Sequence, residues 1–367
     1  MNARYDPRWA ADWDAVGLVT GDLDAVCERA LFAVDPVDAV LDEADRHGVR
    51  LLLTHHPLLL HGVHSIAETT PKGRLVARLL RAGAALFVAH TNADVASPGV
   101  SDALADRLGV TDAEPLQRSE VDPAYKLVTF VPEQNADAVI DALAAAGAGR
   151  IGGYDRCAWT VTGVGTFRAG PGTTPTVGAV GSVTAVPERR VEMVVAREGL
   201  AGAVAALRAA HPYEEPAYDV YPVVTPSLRG MGRVGTLAAP MSLSDFARAV
   251  SSSLGDAVRV AGDPRRRVQR VAVCGGAGDD LIPLARAAHA DVFVTADLRH
   301  HVASEAVADG LALIDAGHWA TEAPWLDVAA AAIVSDLRAA GHTVEAMVSR
   351  VKTDPWAAPG AVEGERG

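Results

Sequence analysis

The sequence predicts an α/β core built from both ends of the chain, with a ferredoxin-like α+β domain inserted in its middle. Three observations predict it. In the first third, short apolar runs alternate with longer amphipathic stretches, the pattern of βαβ units around a buried, largely parallel sheet. A central block then reads strand–helix–strand–strand–helix–strand, a ferredoxin-like signature long enough for a core of its own. The last third resumes the first pattern. The expected boundaries are 1–123 and 226–367 for the two halves of the core, and 124–225 for the insert.

Each element has its own warrant. Arg50–Leu53 is an apolar strand running into Thr54-His55-His56-Pro57, and Gly73–Ala82 has helical periodicity. Ala85–Ala89 is a buried strand ending in His90-Thr91-Asn92, and Val100–Leu108 is a helix stopped by Gly109. In the central block Tyr125–Val131 alternates as a strand and Asn135–Ala146 is a helix ended by Gly147. Trp159–Val164 and Thr176–Thr184 read as strands around a Gly/Pro/Thr loop, followed by strand Glu188–Val195, helix Leu200–Ala210 and strand Ala217–Val224. Thr225–Gly235, rich in glycine, reads as the return linker. Beyond it come helix Ser244–Leu254, strand Val268–Val273, helix Leu281–Ala288, strands Asp291–Thr295 and Leu311–Asp315, and helix Trp325–Ala340. The tail from Trp356 to Gly367 carries the Pro, Gly and charge of a frayed end.

Composition narrows the function. At 367 residues, 49% hydrophobic and 22% charged, the chain is globular and long enough for more than one domain. A net charge of -13 argues against a general nucleic-acid surface. Three well-separated cysteines, Cys27, Cys157 and Cys274, give neither a disulfide framework nor a CxxC metal site, as expected of a reducing cytosol. No apolar run is long enough for a membrane span, and the N-terminal stretch lacks the apolar core of a signal peptide, so the expected location is cytoplasmic with no membrane partner.

Three clusters sit just past the C-terminal ends of expected strands, where open α/β sheets bind ligands. They are His55-His56, then His90-Thr91-Asn92-Ala93-Asp94, then Asp315-Ala316-Gly317-His318-Trp319-Ala320-Thr321-Glu322. A helix starting near the third cluster puts His318 and Glu322 on one face, four residues apart. Imidazoles mixed with carboxylates suit zinc, iron, manganese or nickel better than calcium or magnesium. Each cluster alone reads equally well as packed, hydrogen-bonded histidine; the coincidence of three at equivalent strand exits points to metal. Cys274-Gly275-Gly276-Ala277-Gly278 lacks the signature of a phosphate loop and reads as a tight turn. Asp297, His300 and His301 follow a strand and read either as supports of the site or as a solvated loop. His211-Pro212-Tyr213-Glu214-Glu215-Pro216 reads as a rigid turn. There is no GxSxG elbow, and no cysteine is near a histidine, so a nucleophilic hydrolase has no support.

Trp13-Asp14-Ala15-Val16-Gly17-Leu18, Thr54-His55-His56-Pro57, His90-Thr91-Asn92-Ala93-Asp94 and Gly317-His318-Trp319-Ala320-Thr321-Glu322 together resemble the Nif-three-like family of dinuclear-metal hexamers, whose members carry the name GTP cyclohydrolase I type 2 homolog. The run from His211 through Tyr218-Asp219-Val220-Tyr221-Pro222 resembles the CutA-like or PII-like insert of the longer bacterial members. The resemblance implies two divalent transition-metal ions per chain, held by His55, His56, Asp94, His318 and Glu322. Glu322 would bridge, with His55 and Asp94 on one ion and His56 and His318 on the other. It also implies a homohexamer. Ala15, Ala296 and Trp319 depart from the family's usual residues without removing an implied ligand. Two functions follow as alternatives: a metal-dependent hydrolase of a nucleotide-like substrate, with His301 in a supporting or acid–base role, or a non-enzymatic metal-binding regulatory scaffold.

Overall fold

The computed structural model describes residues 1–119, 124–223 and 227–356. It divides into two compact units, Met1–Ser119 with Ser227–Gly367, and Glu120–Pro226.

The first unit contains two sheets. One has five strands in the order β1 (Gly17–Thr20), β4 (Ala85–Val88), β3 (Leu51–Thr54), β2 (Arg29–Ala33) and β15 (Glu345–Val348). All are parallel except β1, which runs antiparallel to β4. The central strands are covered on both faces, which is why they read as unbroken apolar runs. One face packs on α1 (Asp38–Arg46) and α2 (Pro71–Ala82) through Leu31, Leu52, Leu86 and Val88. Helix α2 forms where it does because the Thr70 hydroxyl accepts from Gly73 N, Pro71 opens the first turn and Gly83 closes the last in a left-handed conformation.

The second sheet has six strands in the order β11 (Arg259–Ala261), β14 (Ala312–Asp315), β13 (Val292–Ala296), β12 (Arg267–Ala277), β10 (Gly230–Ser242) and β5 (Val110–Arg118). Strands β12, β13 and β14 are parallel, and the outer ones antiparallel. Helices α7 (Leu243–Leu254), α8 (Ile282–Ala287) and α9 (His300–Ala308) belong to this half. Short α3 (Thr91–Val95) follows β4. Helix α10 (His318–Ala339) packs on β2 and β15 of the first sheet, on β12 and β13 of the second, and along α4 (Val100–Arg107). The start of α10 therefore lies where both sheets present strand ends. None of the described helices is long and apolar enough to cross a membrane.

The second unit is an antiparallel sheet in the order β7 (Trp159–Arg168), β8 (Val183–Ala196), β6 (Ala124–Pro132) and β9 (Tyr218–Val223). With α5 (Ala136–Ala145) and α6 (Leu200–Ala210) the order is βαββαβ, the ferredoxin-like topology. Val191, Met193 and Val195 alternate onto the helices and meet Val139, Leu143, Ala203 and Leu207.

The structure corrects several sequence expectations. Thr176–Thr184 and Glu188–Val195 are not two strands: β8 is continuous from Val183, and the residues before it form turns. Pro187 does not interrupt it: the β6 ladder ends at Pro132 opposite Glu188, so at Pro187 β8 has only β7 beside it and the missing N–H is tolerated. The expected linker Thr225–Gly235 is half strand, since β10 starts at Gly230; Thr225 and Pro226 lie outside the described residues. Its glycines answer to close backbone approach: a Cβ on Gly230 would lie 2.0 Å from the Gln117 carbonyl oxygen, and one on Gly235 2.4 Å from that of Thr111. Helix α10 begins at His318, seven residues before the expected Trp325, with Pro324 inside it. The tail expected to fray lies, beyond Trp356, outside the described residues.

Candidate metal centre

Strand β3 delivers His55 and His56 to its C-terminal edge. The ladder continues one step beyond the strand, with His55 N donating to Ala33 O and His56 N to Val34 O. The Thr54 hydroxyl then donates to the His56 carbonyl at 2.9 Å and turns the chain. Adjacent imidazoles that would point to opposite faces of a flat strand instead lie with ring centroids 5.2 Å apart. Strand β4 ends at His90 and α3, which carries Asp94. Strand β14 ends at Asp315, and Gly317, at φ +82, releases the chain into α10.

Glu322 is the centre of the arrangement. Its Oε2 lies 3.1 Å from His56 Nε2, and its Oε1 lies 3.1 Å from His318 Nε2 and 3.4 Å from His55 Nε2. The Asp94 carboxylate reaches His55 Nε2 at 3.7 Å. His56 and His318 approach through Nε2 atoms 3.3 Å apart. Two sets of ligand atoms fall within 4.8 Å of one another, His56 with His318 and Glu322, and His55 with His56 and His90.

Every imidazole is held by its other nitrogen. His55 Nδ1 donates to the Ala89 carbonyl at 2.9 Å, His56 Nδ1 to Asp35 at 2.7 Å, His318 Nδ1 to Asp297 at 2.6 Å and His90 Nδ1 to Asp14 at 2.8 Å. These bonds fix the tautomer that leaves Nε2 as the free donor atom, as partners of metal-bound histidine commonly do. Asp14 is itself secured by Thr91 N at 3.0 Å.

The charges are strongly coupled. Burial opposes ionisation of Glu322, but His55, His56 and His318 outweigh it and hold the carboxyl well below the usual range. Burial disfavours charge on the imidazoles too, yet Glu322 and Asp35 push His56 up to about 10, and Glu322 with Asp297 push His318 to about 9. Burial raises the Asp94 carboxyl despite His55. Two buried atoms, His55 Nε2 and Glu322 Oε2, have no well-formed hydrogen bond. A buried polar atom without a partner costs about 1–3 kcal/mol, so a native site that aims two of them at one another's space is built to be completed by a ligand. Three Nε2 atoms around a carboxylate fit a transition metal, which would take the place of the protons that these imidazoles otherwise hold.

The second sheet backs the cluster. A Cβ on Gly276 would lie 2.4 Å from Glu322 Oε1 and 3.0 Å from His318 Nε2. The expected tight turn at Cys274–Gly278 is therefore a strand end that must be bare to admit Glu322. The Gly276 N–H donates to the Thr321 hydroxyl at 2.9 Å, and Thr295 donates to the Gly276 carbonyl at 2.9 Å, tying β12 and β13 to α10. Burial pushes the Cys274 thiol up to about 12, so it is no nucleophile at neutral pH.

The structure thus gathers His55, His56, His318 and Glu322, with Asp94 against His55. It does not place His301 with them. His301 is exposed in the first turn of α9, its ring against His300, and among the described residues no hydrogen bond or ion pair joins it to the cluster. The residue after β13 that touches the site is Asp297, whose φ of +58 lets the chain double back toward His318. Sequence reasoning missed Asp35 and the roles of Asp14 and His90. Asp35 had a signal, since it follows an apolar run at the same edge as His55.

Residues 1–355 match the family described as Duf34/NIF3 (NGG1p interacting factor 3). A Mycobacterium leprae protein named GTP cyclohydrolase 1 type 2 homolog is 50% identical over 364 residues, covering 97% of this chain and 93% of its own. A Bacillus subtilis protein of the same name is 40% identical, covering 86% of each chain. Of solved structures, a Bacillus cereus protein related to NIF3 superimposes with a TM-score of 0.76 at 34% identity, over 97% of this chain and 96% of that one. A Staphylococcus aureus protein does so with a TM-score of 0.85 at 27% identity, with the same coverage. With a match that runs almost from end to end, this chain belongs to the DUF34/NIF3 family.

Proposed function

We propose that the protein binds two divalent transition-metal ions per chain and uses them to hydrolyse a nucleotide-like substrate. The observation that carries this reading is Glu322, a buried carboxylate whose two oxygens are approached by three Nε2 atoms held in place through Nδ1. His55, Asp94 and Glu322 would hold one ion, and His56, His318 and Glu322 the other. Bound cations would supply a Lewis acid for a carbonyl, purine carbon or phosphoryl oxygen and would lower the pKa of water. The protein's own groups orient the ligands, and His90, fixed by Asp14, stands at the edge of the cluster. The name of the mycobacterial and Bacillus relatives favours a guanine nucleotide as substrate. A homohexamer is the proposed assembly, in keeping with Leu23 and Val26, which are 83% and 93% exposed in one segment of the isolated chain.

Metal analysis of the purified protein, followed by turnover assays on nucleotides and phosphoesters with that metal restored, tests the reading. Two ions per chain are expected, and one after His56→Ala or His318→Ala. Two ions in the double variant would overturn the ligand assignment. Full occupancy without turnover would leave the regulatory scaffold as the function.

A further inference from the structure

The inserted unit carries a cavity of about 830 Å³, within the range of small-molecule sites. It lies on the face of the sheet turned away from α5 and α6. Its floor is bare: Gly163 stands opposite Glu188 and Gly165 opposite Val186 in the β7–β8 ladder. The walls are aromatic. The Phe167 and Tyr213 rings lie 6.2 Å apart, and the Arg190 guanidinium sits 5.7 Å from the centre of the Phe130 ring. The roof is the 169–176 loop, pinned by Thr174 N donating to Glu214 at 3.1 Å and the Thr176 hydroxyl donating to Pro212 O at 2.8 Å. His211 accepts from Tyr213 N through Nδ1 and donates to Phe130 O through Nε2, so the turn that looked merely rigid in sequence aims Tyr213 at this space.

Two opposite charges face this cavity without meeting each other. Glu188 is only 8% exposed. Its Oε1 accepts from the Tyr213 hydroxyl at 2.8 Å, the only hydrogen bond to this carboxylate among the described residues. Its Oε2 hangs over Gly165, where an added Cβ would lie 1.9 Å away. Arg190 donates through Nε to Glu192 at 2.8 Å, and its two terminal nitrogens have no acceptor among the described residues. Glu188 and Arg190 are two apart on β8, which separates their backbones by about 7 Å on the same face, and they form no ion pair. A cationic ligand would answer Glu188 but leave the terminal nitrogens of Arg190 without an acceptor, and an anionic ligand would leave Glu188 without a cation. A ligand that carries both charges on one carbon, with an apolar body for the Phe167, Tyr213 and Val161 walls, satisfies all of them.

We propose that this cavity binds a free α-amino acid with a large apolar side chain, its ammonium on Glu188 Oε2 and its carboxylate on Arg190. The test is calorimetric titration of the full-length protein with L-phenylalanine and L-leucine, beside N-acetyl-L-phenylalanine and L-phenylalanine methyl ester. The free amino acids should bind, and each blocked form should bind about tenfold or more weakly, the worth of one charge-assisted hydrogen bond. Glu188→Gln should weaken phenylalanine by a similar factor. Because that change also touches Tyr213, Gly163→Leu is the second variant. A Cβ there meets nothing within 4 Å, so the strand accommodates it while the side chain fills the cavity, and binding should vanish with circular dichroism and metal content unchanged. Blocked forms binding as well as phenylalanine, undiminished binding to folded Gly163→Leu, or no binding of any of the twenty amino acids would each overturn the proposal.

Discussion

Glu322 and the histidines around it are not interchangeable. Glu322 faces three imidazoles at once, and its charge is what offsets cations in a buried site. Glu322→Gln keeps the shape and removes that charge, so both ions should be lost, whereas His318→Ala should lose one. Parallel metal analysis and circular dichroism decide this: retention of both ions by Glu322→Gln, with loss in His318→Ala, would pass the bridging role to Asp94. The fold should survive, because Glu322 opens a helix and is not part of an apolar cluster. The carboxylates behind the histidines act more gently. Asp35→Asn and Asp297→Asn should each weaken metal binding by about 10–100-fold, the usual cost of removing a partner that orients a ligand. Competition with a chromogenic chelator measures it, and affinities equal to the unaltered protein would mean that packing alone orients the rings.

At the scale of elements, the site is a meeting of strand ends with one helix start, and what decides its precision is the bare end of β12 at Gly275 and Gly276. Gly276 has φ +65 and would press any Cβ onto Glu322 and His318. Gly276→Ala should lose about 1–2 kcal/mol from the left-handed backbone and, in addition, displace Glu322. Gly83→Ala is the control, with φ +60 but open space around it. The two should lose similar stability in thermal melts, while only Gly276→Ala loses metal; equal metal binding in both would mean that Glu322 tolerates the displacement. The same glycines explain what was legible beforehand. Strands β3 and β4 and helices α2 and α4 announce themselves because both faces, or one clean stripe, are apolar. Strand β10 does not, since its glycines are placed by the backbone of β5 and look like a linker. His55, His56, Asp94, His318 and Glu322 are visible as clusters at strand exits. Asp35 and Asp14 are harder to see, because each pairs with a histidine distant in sequence; Asp35 is marked only by its place after an apolar run, and nothing local names its partner.

For the molecule as a whole, the point where the insert leaves and re-enters the core is a single pair of neighbouring strands. Gly230 of β10 stands opposite Arg118 of β5, and Ser119 N donates to Arg229 O at 3.0 Å. The core therefore sees the insert as an enlarged hairpin loop, and loop length costs little, about 0.6 kcal/mol for each doubling. Nearby, Arg233 of β10 is buried and paired with Asp102 of α4 at 2.6 Å, and it donates to the Ala96 carbonyl at 2.9 Å, just past the helix that carries Asp94. This network anchors the site to β10 and uses no residue of the insert. Removing residues 120–226 and joining Ser119 to Ser227 with a short Gly/Ser link should leave β5 and β10 paired as a hairpin. The shortened protein should fold, show one cooperative melt, and bind as many metal ions as the full chain. It should also lose all affinity for the amino acids proposed above, which separates the two sites in one experiment. A shortened chain that folds but binds no metal would mean that the insert completes the metal centre, and one that does not fold would mean that the β5–β10 ladder needs the insert to close it.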